Sequence, residues 1–229
     1  MKKILKLLLI IIIIFCGYKI VSKLINYHDA NKAYNDIRKI ETSKSETDKE
    51  KFESLKKINE NYKFWITVQG TEIDYPVVQS TNNEYYLNHN FYNKKNDSGT
   101  LFVDYRDKIE KDRNIIIYGH NMKDGTMFEN LSEFKDESFF NKNKYITLKE
   151  GEIEKKYEIF SVYIADDNFN YLVPTFKSDK EYESYLERMV KKSMYKRDIS
   201  LSCKDKIITL STCSYEFDDA RFVVQAKEI

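Results

Sequence analysis

The first pattern along the chain is an apolar run, Leu7 to Tyr18, that contains no charged side chain. It extends from Ile4 to Ile25 if Lys6, Lys19 and Lys23 keep their stems in lipid and carry their ammonium groups to the interfaces. That length suffices for one helical crossing of a bilayer. Two other readings compete with a permanent anchor. A cleaved signal peptide needs small residues at an A-x-A-like site, which Phe15-Cys16-Gly17-Tyr18-Lys19 does not supply. A lipoprotein signal needs a small residue just before the modified cysteine, where Phe15 stands. The expectation is an uncleaved signal anchor over residues 1–25, with the N-terminus in the cytoplasm and everything after residue 26 outside. Lys2, Lys3 and Lys6 favour that orientation only slightly, because Lys19 and Lys23 occupy the other flank.

Beyond the anchor the apolar period is helical. Ala30, Ala33, Tyr34, Ile37 and Ile40 form one stripe, predicting an amphipathic helix over Asp29–Ile40. Thr42–Asp48 is polar and reads as a break. Thr47-Asp48-Lys49-Glu50 has the form of a capping box, followed at helical spacing by Phe52, Leu55, Ile58 and Tyr62. Residues 26–62 thus read as a membrane-proximal helical segment, and 63–229 as the domain it carries.

From Phe64 onward the period shortens to two. Short segments rich in β-branched and aromatic residues fall at Phe64–Val68, Ile73–Val78, Thr100–Val103, Asn114–Tyr118, Tyr145–Leu148, Ile153–Ala165, Lys206–Ser211 and Phe222–Lys227. Eight such strands separated by polar turns suggest a barrel or a sandwich. One long helix interrupts them. Ser178-Asp179-Lys180-Glu181 resembles a second capping box, and Tyr182, Tyr185, Leu186, Met189 and Val190 form an apolar stripe that reads as packing before ligand platform.

Composition narrows the function. Apolar residues make up 41 % and charged residues 33 % of 229, which suits a globular chain. The 38 basic and 37 acidic side chains nearly cancel, leaving no electrostatic reason to expect nucleic acid as a partner. Three cysteines without short repeated spacing argue against a disulfide scaffold or a zinc site. Cys16 lies in the apolar run, so only Cys203 and Cys213 belong to the domain. A bridge between them competes with a free nucleophile, which has to stay reduced. There is no H-E-x-x-H, paired C-x-x-C, internal repeat or phosphate-cradling glycine loop.

A thiol nucleophile needs an acid–base partner and a donor for the oxyanion. His28 lies just past the anchor. His89 sits in the polar Leu87-Asn88-His89-Asn90, whereas His120 follows the strongly apolar Asn114–Gly119 strand. Chemistry alone favours His120 over His89 by a modest margin, and either could be an ordinary hydrogen-bonded histidine. The C-terminal hairpin says more. Alternation puts Ile208, Leu210 and Thr212 on one face and Thr209, Ser211 and Cys213 on the other. With Ile208, Leu210, Phe222, Val224 and Ala226 pointing into the core, Cys213 and Arg221 both point away from it. The Ser214–Ala220 loop is short enough to bring them side by side. An arginine there suits an oxyanion or peptide carbonyls, and the competing reading pairs it with Asp218 or Asp219.

Thr209-Leu210-Ser211-Thr212-Cys213 matches the T-L-x-T-C signature of sortases, and Tyr118-Gly119-His120-Asn121 resembles their histidine segment. Arg221 opens the last strand as the family's arginine does, and Asp74–Gln79 is similar to its early strand. The chain from about Asn61 to Ile229 is thereby identified as resembling a sortase. Two helices before the barrel and a long one between the sixth and seventh strands resemble class B. The only prolines, Pro76 and Pro174, form no D-P-aromatic lid of class C, and class A lacks the long helix.

The resemblance implies a mainly β fold with helices: a closed eight-stranded barrel, two N-terminal helices and that long helix. It implies a cysteine transpeptidase in which Cys213 attacks a Thr carbonyl of a C-terminal sorting motif on a secreted surface protein. His120 would shuttle the amine proton and Arg221 would stabilise the oxyanion. An amine of a lipid-linked peptidoglycan precursor would accept the product. Asn83, Leu87, Tyr118, Tyr171, Leu172 and Ser211 are the substrate-lining residues it implies, with no metal and no cofactor. Two other functions stay open: a secreted cysteine protease with water as acceptor, and a membrane-tethered binding module in which Cys213 is structural.

Overall fold

The computed structural model describes residues 2–166 and 168–229, so Met1, the first residue of the expected anchor, lies outside the described residues. A single helix, α1 (Lys2–Glu41), carries the chain through the apolar run and beyond it. The anchor and the amphipathic helix expected at Asp29–Ile40 are therefore one continuous element, about 60 Å long at 1.5 Å per residue. Nothing in the sequence compels a break: the first proline is Pro76, and Gly17 alone costs only about 1 kcal/mol. By length and composition α1 can cross a membrane. Its side chains are exposed from Ile4 to Ile25, and further on Ala30, Tyr34 and Ile37 are buried.

The second helix, α2 (Asp48–Ile58), begins at a complete capping box. Thr47 Oγ1 accepts from Glu50 N at 3.3 Å, and the Glu50 carboxylate accepts from Thr47 N at 2.8 Å. Leu55 on its inner face is fully buried.

The eight strands are β1 (Tyr62–Val68), β2 (Asp74–Val78), β3 (Leu101–Val103), β4 (Asn114–Tyr118), β5 (Tyr145–Glu150), β6 (Ile153–Ala165), β7 (Ile207–Cys213) and β8 (Arg221–Glu228). They close into a barrel in the order β1-β2-β3-β4-β7-β8-β6-β5. β1 starts at Tyr62, one residue inside the expected helical segment. The β2–β3 and β4–β7 pairs are parallel, and the rest are antiparallel. Ile208 and Leu210 of β7 join Phe222, Val224 and Ala226 of β8 in the main core. Their alternates Ile207 and Val223 face a second core, outside the sheet.

That second core is made by α4 (Asp179–Lys192), which lies between β6 and β7 in the chain. Tyr182, Tyr185, Leu186 and Met189 are buried, while Val190 falls at the edge of the stripe and is 42 % exposed. The expected capping box is half formed. Ser178 Oγ accepts from Glu181 N, but the Glu181 carboxylate takes Lys177 N instead of Ser178 N. Three short elements lie outside the sequence expectations: the 3-10 turns Tyr85–Leu87 and Glu129–Lys135, and α3 (Glu137–Lys142). Asp136 caps α3 by accepting from Phe139 N at 2.8 Å, a signal that an Asp before a short apolar stretch could have given.

Core packing and capping should separate on mutation. Leu55→Ala is expected to lower unfolding free energy by about 2–5 kcal/mol, and Thr47→Ala by about 1 kcal/mol. Denaturant unfolding of the full chain measures both, and equal losses would contradict the packing described for α2.

Candidate active site at the mouth of the barrel

The parallel pairing of β4 with β7 fixes which chain ends meet. Asn114 faces Ile207, and the register runs on to Tyr118 facing Ser211. Both strands therefore end at the same rim, with Gly119-His120 leaving one and Thr212-Cys213 finishing the other. Three hydrogen bonds stitch the two ends together. Gly119 N donates to Ser211 O at 3.3 Å, Thr212 Oγ1 to Gly119 O at 2.8 Å, and Asn121 Nδ2 to Cys213 O at 2.8 Å. Gly119 is required sterically, because a Cβ there would stand 2.4 Å from Leu101 Cδ2 and 2.7 Å from the Phe128 ring.

The antiparallel β7–β8 pair supplies the third group. Cys213 is the direct register partner of Arg221. Arg221 Nη1 donates to Cys213 Sγ at 3.3 Å. The guanidinium also contacts Ala220 O, and it engages the thiol instead of Asp218 or Asp219. Cys213 and Arg221 are both half-buried. Cys16, Cys203 and Cys213 are all free, so the bridge between Cys203 and Cys213 is not formed.

His120 lies in the same cleft, half-buried, with Nε2 2.7 Å from Leu87 O. A carbonyl only accepts, so Nε2 holds a hydrogen in both the neutral and the cationic ring. Nδ1 is then the nitrogen that gains or loses a proton. His89 is otherwise engaged: its ring stacks on Tyr85 at 4.1 Å and its Nδ1 donates to Tyr85 O at 2.8 Å. His28 is exposed on α1.

The cleft measures about 290 Å³, and the thiol, guanidinium and imidazole share it with the six other residues singled out from sequence. Leu87 is exposed at its edge, and Leu172 is half-buried. Asn83 turns its Oδ1 to Tyr105 N at 2.9 Å. Tyr171, buried, shares a hydrogen bond with Ser211 Oγ at 2.8 Å. Tyr118 donates to Asp104 Oδ2 at 2.9 Å. Phe102, Gly119 and Thr212 also line the cleft and were missed, although Gly119 and Thr212 stand inside the motifs already singled out. Among the described residues no cluster of three or more His, Cys, Asp or Glu is placed to hold a metal ion.

A buttress of carboxylates stands behind Tyr118. Burial alone would raise the Asp104 carboxyl, but two bonds from Arg106, at 2.9 and 2.8 Å, and the Tyr118 hydroxyl hold it below the usual range. Burial, and then the Asp104 charge, push the Tyr118 phenol up. Asp107, three residues on, is pushed up to about 8 by burial, against a bond from Ile116 N at 2.6 Å, with Asp104 and Asp112 adding repulsion.

Comparison with known proteins gives this arrangement its family. A family model described as the Sortase domain matches residues 66–229. The curated Sortase B of Listeria monocytogenes is 36 % identical, covering 98 % of this chain and 95 % of its own. A mutant form of Clostridium perfringens sortase B superposes with a TM-score of 0.83 at 44 % identity, over 87 % of this chain and 98 % of that one. The Staphylococcus aureus sortase B–substrate complex gives 0.82 at 32 % identity, over 90 % and 98 %. The chain belongs to the sortase family of cysteine transpeptidases. Its relatives across nearly the full length are class B enzymes, and this is a class B sortase.

The Asp107 carboxyl predicts a pH dependence of stability. The folded chain holds its proton more tightly than the unfolded chain, so stability should fall as pH rises from the ordinary 3.8 to about 8 and level off above. Asp107→Asn keeps an acceptor for Ile116 N and removes the titration. Unfolding midpoints collected from acid to mild base should decline less for the variant, and parallel curves would contradict the assignment.

Proposed function

We propose that this class B sortase cuts a C-terminal sorting motif of a secreted surface protein after Thr and joins the protein to a peptidoglycan precursor. Cys213 passes its thiol proton to His120 Nδ1 as Sγ attacks the Thr carbonyl carbon, and the carbonyl oxygen becomes an oxyanion. Arg221 faces that charge with its planar fork of donors. Collapse breaks the C–N bond, and His120 gives the departing amine a proton from Nδ1. The protein is left as a thioester on Cys213. An amine of the lipid-linked precursor then attacks, His120 takes its proton, and the sulfur leaves. Asn83, Leu87, Tyr118, Tyr171, Leu172 and Ser211 are assigned to holding the motif along the cleft.

The observation that supports this reading is the 3.3 Å contact between the Arg221 guanidinium and Cys213 Sγ in the cleft that also holds His120. This transfer uses only the thiol, the imidazole and the guanidinium of this chain. Residues 1–25 act as a membrane anchor, 26–62 as the membrane-proximal helical segment, and 63–229 as the catalytic barrel on the extracellular face of a single-pass protein. The exposed apolar surface of α1 between Ile4 and Ile25 favours a lipid environment for that stretch.

The full chain in detergent, given a sorting-motif peptide with and without an amine acceptor, tests transfer against hydrolysis. The amine should redirect product from free acid to ligated peptide. If it changes neither product nor rate, the enzyme is a cysteine protease, and Cys213→Ala with full function would point to a binding module. Arg221→Lys should lose about 10²-fold or more in kcat, because a point charge cannot copy the guanidinium fork. Near-parental turnover in that variant would remove Arg221 from the site.

A further inference from the structure

The carbonyl that holds His120 belongs to a turn, and that turn is gripped by the helix reaching down to the membrane. Leu87 ends the 3-10 turn Tyr85–Leu87, and its carbonyl takes the His120 Nε2 hydrogen at 2.7 Å. Gly99 packs directly behind it. A Cβ on Gly99 would stand 2.3 Å from Tyr86 O and 2.9 Å from Leu87 O, and its φ of +59° is a left-handed conformation that glycine adopts readily. The backbone approach is therefore as close as the absence of a side chain allows. Thr100 N donates to Tyr86 O at 3.0 Å, and Thr100 Oγ1 to His89 O at 2.9 Å, tying the same turn from the other side.

One side chain on α1 reaches both of these residues. Tyr34 is buried, with its hydroxyl hydrogen-bonded to Gly99 O and 3.1 Å from Thr100 Oγ1. These contacts link residues 65 and 66 positions apart in the chain, across the boundary between the N-terminal helix and the barrel. A phenol in that place does what a hydrophobic contact cannot: it fixes the angle and height of the Gly99–Thr100 backbone. That backbone in turn sets where the Leu87 carbonyl points. Below this point the neighbouring Asn26, next to the last apolar residue of the run, binds the same loop. Asn26 O accepts from Asn96 Nδ2 and its Oδ1 accepts from Asp97 N, both at 3.3 Å.

We propose that Tyr34 of the N-terminal helix is a positioning residue for His120, acting through Gly99–Thr100 on the Leu87 carbonyl that fixes the imidazole's tautomer and orientation. The membrane helix is then part of the catalytic architecture and not only a tether. The inference rests on the acid–base role assigned to His120 above. Removing the hydroxyl frees the turn to shift, and the Leu87 carbonyl loses its alignment with Nε2. A small displacement suffices to slow a proton transfer that depends on alignment, while the cleft residues outside this turn, Tyr118, Tyr171, Leu172 and Ser211, keep their places.

The test uses the full chain in detergent and compares Tyr34→Phe, Ile37→Ala and His120→Ala. Ile37 lies one turn along α1, fully buried, so its truncation loosens helix–barrel packing without touching the hydrogen-bonded turn. Tyr34→Phe should lower kcat by about tenfold, with a much smaller change in KM from the shifted Leu87. In the ring-nitrogen spectrum of 15N-histidine-labelled protein, identified by loss in His120→Ala, it should also move the His120 Nε2 signal from its parental position. Ile37→Ala should lower the unfolding midpoint while leaving kcat and the Nε2 signal as in the parent. If Tyr34→Phe leaves both unchanged, or if Ile37→Ala reproduces its kinetic effect, Tyr34 is only structural and the inference is overturned. If His120→Ala itself retains full activity, the fault lies in the acid–base assignment, and the Nε2 signal still reports on the Tyr34–Leu87 linkage.

Discussion

Strand β7 is held on both sides at once, in parallel by β4 and in antiparallel by β8, and the site depends on that double pairing. The parallel register carries Tyr118 level with Ser211 and so delivers His120 to the rim where Cys213 stands. The antiparallel register makes Arg221 the direct partner of Cys213 across the hairpin. Neither register can slip by one residue without exchanging the inner and outer faces of β7. Ile208 and Leu210 would then leave the barrel core, at a cost far above that of any contact in the cleft. Burial of ordinary aliphatic side chains thus enforces the geometry of three chemically special ones.

A second layer of polar contacts refines what the strands place. The stitching of Gly119, Thr212 and Asn121 across the β4–β7 ends joins the histidine segment to the cysteine segment through backbone atoms. Beneath the outer face, a buried network couples the loop before α4 to the same strands. Asn114 Nδ2 donates to Val173 O at 3.0 Å, Tyr185 donates to Tyr171 O at 2.7 Å, and Gln225 Nε2 bridges Tyr185 and Thr209 at 2.9 Å each. Such networks specify an arrangement to the extent that their groups are paired, and here the Gln225 amide is paired through Nε2 while its buried Oε1 is not. Here they seat Tyr171 and Leu172 at the cleft wall.

The strands and the hairpin were legible from sequence because their signal is local. Alternation at Ile207–Cys213 and Phe222–Lys227 reports directly on which side chains face the core, and the structure agrees at Ile208, Leu210, Phe222 and Val224. Backbone partners were not legible. That Leu87 lends its carbonyl to His120 leaves no trace in side-chain identity, and neither does the close approach of Gly99 behind it. The continuity of α1 escaped notice because the change from uniform apolarity to amphipathic stripe marks where burial against the barrel begins, and the helix passes through it unbroken. The half-formed box at Ser178 shows the limit of motif matching, since a glutamate three residues on can bond either of two neighbouring amides.

The proposed transfer requires the Cys213 sulfur to be the atom that becomes acylated. Mixing the full chain with a sorting-motif peptide in the absence of any amine acceptor, quenching in acid within the first turnover and mapping the digest by mass spectrometry tests it directly. An acyl adduct, labile to hydroxylamine, is expected on the peptide that contains Cys213 and on neither of those containing Cys16 or Cys203. Peptide cleavage with no adduct at Cys213, or with the adduct on another residue, would contradict it.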